Sequence, residues 1–166
     1  MEFGPRALGS RSILADPRPA DMRERVNMLI KKREGFRPFA PAVAAERAAE
    51  YFDLEPGDEE TYAHMLFVVP VRSAYRDKLP AVTHIDGTAR VQTVTKATNE
   101  RFYDLLNAFA EKSGMPILLN TSFNVKGQPI VCTPTEAIDT FLAAGLDAMV
   151  LGDSIVTAKG ERGASA

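Results

Sequence analysis

The stretch Pro116-Ile117-Leu118-Leu119-Asn120-Thr121-Ser122-Phe123-Asn124 decides how this chain is read. Its first part, 116–119, is a short apolar run of strand length, fit for burial. It leads directly into amides and hydroxyls, and Gly127 follows. Polar side chains at the end of a buried strand lie where α/β sheets bind ligands. A ligand-binding strand end inside an α/β architecture is therefore the first expectation, with a plain Asn/Ser turn as the equal alternative.

Working outward, the preceding segment is helical. Phe102, Leu105, Leu106 and Phe109 recur at helical spacing over about 99–112, and Gly114 is placed to end that helix. Downstream, Thr133, Pro134 and Glu136 form a helix start with a capping box. Ala137, Ile138, Phe141 and Leu142 are expected to face inward, and Gly145 to end the helix. Residues 148–151 and 154–157 read as a hairpin about a Gly152-Asp153 turn, and 159–166 as a frayed tail.

Upstream, residues 1–20 look irregular, and Asp16-Pro17-Arg18-Pro19 stops any helix. A helix then starts at Asp21, with Glu24 completing a box-like pattern. Met22, Val26, Leu29 and Ile30 share one face, Lys31, Lys32 and Arg33 fill the last turn, and Gly35 lies beyond. Residues 36–41 should be extended, 42–52 a short helix, 53–61 an acidic loop and 65–69 a strand. Residues 72–81 read as a polar connection, and 82–94 as one or two strands interrupted by Asp86-Gly87. Helices and strands alternate without a linker or an internal repeat, so the fold class is α/β or α+β in one compact domain.

Composition bounds the function. A length of 166 residues suits one domain of roughly 100–200 residues. No apolar run reaches the roughly 18 residues of a membrane span, and Met1–Arg6 lack an apolar signal core, so a cytoplasmic protein is expected. Cys132 is the sole cysteine, which rules out an internal disulfide or a CxxC metal site. Two histidines, His64 and His84, exclude a multi-histidine metal centre. A net charge of -2 argues against broad nucleic-acid binding but permits a local anion pocket.

Three groups of residues carry candidate chemistry. The basic set is Arg6, Arg11, Lys31, Arg33 and Arg90, suited to phosphate or carboxylate. Lys31 and Arg33 are two apart and cannot share a regular helical face. They converge on a ligand only if the helix ends between or just after them. Otherwise they only complement the helix dipole. The second group is Asn120, Ser122 and Asn124. The third is His84 and Asp86, suited to proton transfer or positioning, with a simple Asp86-Gly87 hairpin turn as the favoured alternative. Cys132 precedes a helix start, but a buried inert thiol is expected. No GxxxxGK[ST], GxGxxG or GxSxG pattern occurs.

Taken together, the segments resemble the nodulation- and antibiotic-type O-carbamoyltransferases. The resemblance rests on Phe3-Gly4-Pro5-Arg6-Ala7-Leu8-Gly9, on Arg11-Ser12-Ile13-Leu14-Ala15-Asp16-Pro17-Arg18, and on Lys31-Lys32-Arg33-Glu34 with Phe36-Arg37-Pro38-Phe39-Ala40-Pro41. It continues through residues 82–92, 118–124 and 127–134. These blocks cover nearly the whole chain in family order. Ser10 stands where the family more often has asparagine.

The resemblance is to the family's C-terminal, YrdC-like domain, which implies a twisted mixed sheet flanked by helices over residues 1–160. Residues 1–20 would join it to an N-terminal actin-like, sugar-kinase-type domain, and 161–166 would form a disordered tail. It implies formation of carbamoyl adenylate from ATP, with Mg2+, and carbamoyl phosphate, for transfer to a hydroxyl by that N-terminal domain, whose histidine-bound metal lies outside this chain. Lys31-x-Arg33 and Ser122-x-Asn124 fit the family's nucleotide motifs. The site expected from the resemblance is Lys31, Arg33, Arg90 and Ser122 as catalytic residues. Arg11, Asn120 and Asn124 join them around the nucleotide, and His84 and Asp86 are weaker candidates. No membrane or nucleic-acid partner is expected, and a homodimer is compatible with the reading. The alternatives are a nucleotide-binding or interface module inert without its partner domain, and a relative that makes threonylcarbamoyl adenylate for tRNA modification.

Overall fold

The computed structural model describes residues 8–55, 57 and 59–157. Arg6 and the rest of 1–7, Asp58 and the tail 159–166 lie outside the described residues. The element order is β1 (Ser12–Ala15), α1 (Met22–Val26), β2 (Ala40–Ala44), α2 (Ala48–Tyr51), β3 (Val69–Pro70), α3 (Ser73–Arg76), β4 (Thr88–Ala89), β5 (Gln92–Val94), α4 (Glu100–Ser113), β6 (Ile117–Ser122), α5 (Pro134–Ala144), β7 (Ala148–Leu151) and β8 (Ser154–Thr157). Strands β1, β6, β2 and β5 form the main sheet in that order. β6 runs antiparallel to both neighbours, and β2 runs parallel to β5. β3 pairs with β4, and β7 with β8.

The sheet is covered on both faces, because strand side chains alternate between them. Ala42, Val94 and Leu118 pack under Phe102 and Leu106 of α4. On the other face Ile13, Val43, Ile117 and Leu119 join Val26, Ile30, Tyr51, Phe52 and Phe141. The result is a mixed α/β fold in one compact domain.

The local signals at α4 and α5 operate as read. The Asn99 side chain accepts from the Phe102 N–H, and Gly114 ends α4 at φ 82°. Thr133 and Glu136 form a reciprocal capping box, Pro134 opens α5, and Gly145 closes it at φ 59°. The β7–β8 hairpin turns at Gly152-Asp153, with Leu151 facing Ser154.

Other expectations are corrected. Residues 42–44 are strand, not helix: β2 is buried along its whole length between β6 and β5. Tertiary pairing there overrides the helical preference of alanine. Helical structure begins only with a 3₁₀ turn at Ala45–Arg47 and α2. The apolar run 65–69 contributes only Val69 to a strand. Met65 takes a left-handed φ of 59°, and Leu66, Phe67 and Val68 are exposed. The polar connection 72–81 contains α3. The residues before Asp86-Gly87 form no strand; β4 pairs instead with β3, so the expected hairpin is a turn alone. Asp21 makes no side-chain cap to α1. The polar residues Asn120, Thr121 and Ser122 lie within β6 rather than after it.

Helix faces also turn out narrower than the sequence spacing suggests. Phe141 is 1% exposed, whereas Leu142 is 62% and Ile138 40% exposed. Replacing Phe141 with Ala should therefore cost ~3–5 kcal/mol of unfolding free energy. Leu142→Ala should stay within about 0.5 kcal/mol. Urea unfolding of the two variants checks both values.

Candidate functional site

The route from α1 to the Lys31 site is a widening turn. After Val26 the helix continues as a π turn over Asn27–Lys31 and stops at Lys32, which adopts φ 42° and ψ 52°. The left-handed residue ends the helix between Lys31 and Arg33, not at Gly35, so the two side chains are freed from helical spacing. Asn27 is fully buried; its Nδ2 donates to the carbonyls of Gly35 at 3.2 Å and Arg37 at 2.9 Å. That amide secures the loop after the turn, while Ile30 O accepts from the Lys126 N–H at 3.3 Å.

Lys31 reaches the end of β6. Its Nζ lies 2.8 Å from Ser122 O, 3.3 Å from Ser122 Oγ, 3.0 Å from Asn124 O and 2.8 Å from Asn124 Oδ1. Ser122 Oγ donates to Asn124 Oδ1 at 2.6 Å. Asn124 Nδ2 donates to Gln128 O at 2.8 Å, which shapes the loop around the ammonium. Three ammonium hydrogens thus face four oxygens. The site is an oxygen-lined cradle holding one positive charge at the end of a buried strand.

Arg33 is fixed differently. Its Nε donates to Asn27 Oδ1 at 2.6 Å, and its guanidinium lies 4.7 Å from the centre of the Phe39 ring. Arg11 lies just before β1, the strand next to β6: its carbonyl accepts from the Phe123 N–H at 2.8 Å, and its Nη1 lies 3.6 Å from Cys132 Sγ. Cys132 is exposed, which corrects the expectation of a buried thiol.

Asn120 and Ser122 are two residues apart on β6 and so share the face that carries Leu118 and α4. Asn120 Nδ2 donates to Gln92 Oε1 at 2.8 Å. β2 runs between these two strands, and its Ala40 and Ala42, opposite Asn120 and Gln92, are small enough for the amides to meet. Asn120 Oδ1 is buried without a partner. The sequence reading missed Gln92 and Asn27. Each is a lone amide inside an apolar pattern (Val91-Gln92-Thr93-Val94 and Val26-Asn27), which was the available signal.

Arg90, His84 and Asp86 form a second group, on and after the turn before β4. Thr88 donates to Asp86 Oδ1 from Oγ1 at 2.6 Å and from its N–H at 3.0 Å. His84 Nδ1 lies 3.0 Å from the same hydroxyl. With the hydroxyl proton directed to Asp86, Nδ1 carries the imidazole proton and Nε2 is left as a base. Burial holds His84 below its ordinary pKa; Asp86 opposes that shift and the exposed Arg90 adds to it. The Thr88 hydrogen bonds hold the Asp86 carboxyl below the usual carboxylate range.

A depressed histidine pKa gives a stability contribution that is complete above the unfolded value of about 6.5. It is lost as pH falls from there through the folded-state value, because the unfolded chain takes up the proton first. The stability of the wild type relative to His84→Gln should therefore decline between pH 7.5 and pH 5. Urea midpoints of both proteins across that range check the sign.

A family model described as Carbamoyltransferase C-terminus matches residues 1–158. The nodulation protein NolNO of Sinorhizobium fredii is 54% identical over 155 residues, covering 93% of this chain and 23% of the relative. The nodulation protein NolO of Bradyrhizobium diazoefficiens is 53% identical over 155 residues, covering 93% and 28%. The 3'-hydroxymethylcephem-O-carbamoyltransferase of Amycolatopsis lactamdurans is 40% identical over 153 residues, covering 92% and 28%. The chain thus spans about a quarter of the length of these relatives. It carries, over nearly all its length, the C-terminal domain of carbamoyltransferases and belongs to that family.

Proposed function

We propose that this domain makes carbamoyl adenylate, using ATP and carbamoyl phosphate, for a carbamoyltransferase whose N-terminal, actin-like domain passes the carbamoyl group to a hydroxyl. One observation carries the reading. Lys31, Ser122 and Asn124, which are 91 and 93 residues apart in sequence, meet at one strand end in a chain of carbamoyltransferase ancestry.

The chemistry needs two displacements. Water cleaves carbamoyl phosphate to carbamate and inorganic phosphate, releasing a proton. A carbamate oxygen then attacks the α-phosphorus of ATP, a P–O bond forms, and the bond to the pyrophosphate oxygen breaks. Charge accumulates on phosphoryl oxygens, so the domain's task is positioning and electrostatic stabilisation. Lys31 is suited to it. A phosphate oxygen entering the cradle replaces a neutral acceptor with a charged one, and charge-assisted hydrogen bonds are roughly twice as strong. Ser122 and Asn124 orient that ammonium and present a hydroxyl and an amide to the ligand. Arg33, held by Asn27 and Phe39, and Arg11, beside the strand end, supply further positive charge. Asn120 offers an unpaired amide oxygen two residues away. Arg90 with His84 and Asp86 would serve the carbamoyl end or face the partner domain.

Among the described residues no three His, Cys, Asp or Glu stand close enough to hold a metal. Mg2+ would then be carried by the phosphate oxygens of ATP, its usual mode of binding.

The saturation of the Lys31 ammonium by four protein oxygens favours one second reading, an interface module in which Lys31 is structural. Pyrophosphate release separates the two. The adenylate reading expects release from the 166-residue chain that requires ATP, Mg2+ and carbamoyl phosphate and is not supported by threonine with bicarbonate. Lys31→Ala should lower it by about 10²-fold, the typical effect of removing one charge-stabilising donor. Circular dichroism of the variant confirms folding. No release from the folded wild type, or an unchanged rate in the variant, would leave the interface reading.

A further inference from the structure

One step of the proposed reaction calls for a base. The carbamate oxygen that attacks ATP is already anionic, whereas the water that cleaves carbamoyl phosphate must lose a proton. The Lys31 cradle offers an ammonium, a hydroxyl and an amide, none of which accepts a proton near neutral pH: Ser122 Oγ donates to Asn124, and the oxygens around it face the ammonium. A protein base for the water therefore lies elsewhere in the domain. The turn before β4 holds one whose neighbours fix its protonation state.

Asp86 is the fixed point of that turn. Its ionised carboxyl only accepts, so the Thr88 hydroxyl directs its one proton to Oδ1 at 2.6 Å. The same hydroxyl then accepts from His84 Nδ1 at 3.0 Å, which leaves the lone pair on Nε2. Main-chain bonds hold the ring's backbone: the His84 N–H donates to Thr88 O at 2.7 Å, and the Gly87 N–H to His84 O at 3.0 Å. Arg76 of α3 packs on Gly87 and is itself engaged, its Nε donating to Val71 O at 2.9 Å. Among the described residues nothing hydrogen-bonds to His84 Nε2, and the exposed Arg90 forms no hydrogen bond or ion pair. Asp86 and Arg90 are the charges felt at the imidazole. Gln92 faces Ala42, and Ala40 faces Asn120, so Arg90 lies on the Asn120–Ser122 side of Gln92. The chain entering β5 and the chain leaving β6 thus stand at the same end of the sheet.

We infer that His84 Nε2 is the general base of carbamoyl phosphate cleavage, that Arg90 holds the phosphate beside it, and that Thr88 and Asp86 are positioning residues which fix the imidazole tautomer. The inference rests on the reading that this domain consumes carbamoyl phosphate. The water oxygen bonds to the carbonyl carbon, and the bond from that carbon to the phosphate oxygen breaks, its electron pair leaving with the phosphate. One water proton passes to Nε2 and the other to the departing phosphate. Carbamate and hydrogen phosphate result, and the imidazolium returns its proton to solvent. Burial and the Arg90 charge hold the imidazole below its ordinary pKa, so the ring is neutral and able to accept at neutral pH.

Phosphate release from carbamoyl phosphate, measured above the enzyme-free background, tests this without ATP. His84→Gln should lower it by about 10²-fold, the lower end of general-base contributions, and His64→Gln should leave it unchanged. The wild-type rate should fall as acid protonates the imidazole, and His84→Gln should lack that limb. Ammonium carbamate supplied with ATP and Mg2+ bypasses the step, so pyrophosphate release should then be equal in wild type and His84→Gln. Nitrogen NMR of the imidazole should show the Nδ1–H tautomer in the wild type and its loss in Thr88→Val. Unchanged phosphate release in folded His84→Gln overturns the proposal, as does an Nε2–H tautomer in the wild type. An equal loss of carbamate-driven pyrophosphate release in His84→Gln would make the residue structural and also overturns it. Absence of phosphate release from the folded wild type does the same. His84-dependent phosphate release with no pyrophosphate would instead defeat the adenylate reading and leave the base in place.

Discussion

β6 is hydrogen-bonded on both edges, to β1 and to β2, and the rest of the domain is set by its register. Side chains alternate along a strand, so a slip of one residue would exchange its two faces. Leu118 would leave the α4 side and Asn120 would enter the larger core beside Ile117 and Leu119. The same register delivers Ser122 to the strand's end, where the chain turns into Asn124 and meets Lys31. The core and the cradle are therefore one constraint: whatever fixes the packing of Leu118 beneath α4 also fixes where the hydroxyl of Ser122 stands.

The cradle also depends on an irregularity. A regular α-helix would carry Lys31 and Arg33 to different sides. The π turn and the left-handed Lys32 stop the helix between them, and the buried amide of Asn27 then holds both the following loop and Arg33. π turns concentrate at functional positions because they displace side chains from helical spacing. Here the displacement lets an ammonium reach across to a different element, and the guanidinium two residues on stacks against Phe39. Sequence-local strain and long-range convergence are parts of the same arrangement.

Much of this was legible in the sequence where local chemistry is decisive. The Thr133–Glu136 box, Pro134, Gly145 and the Gly152-Asp153 turn act through neighbours only, and each element appears where those signals put it. The requirement that the helix end between Lys31 and Arg33 was also readable from their spacing. What was not legible depends on distant pairing. Residues 42–44 read as the start of a helix but are clasped between two strands. Met65–Val69 has the composition of a buried strand, yet little of the sheet is there to receive it. Arg90 was read with the basic set of Lys31 and Arg33, whereas in the fold its charge is felt at the His84 imidazole. Their motif does not include Lys31, and nothing local to either stretch states how the two groups relate.

The amide pair Gln92–Asn120 links these levels. Its members are 0% and 3% exposed and lie on strands separated by β2. Burying Asn120 Oδ1 without a partner costs about 1–3 kcal/mol. Two apolar side chains would avoid that cost, but they would pack almost equally well in neighbouring registers. The amides pair only when Asn120 and Gln92 both lie over the alanines of β2, so they penalise every other alignment of three strands. A buried polar pair that lowers stability while selecting one register is a known device. Here the register it selects is the one that places Ser122 against Lys31. The orphaned oxygen is the residual penalty, on the same sheet face as Ser122 and two residues away.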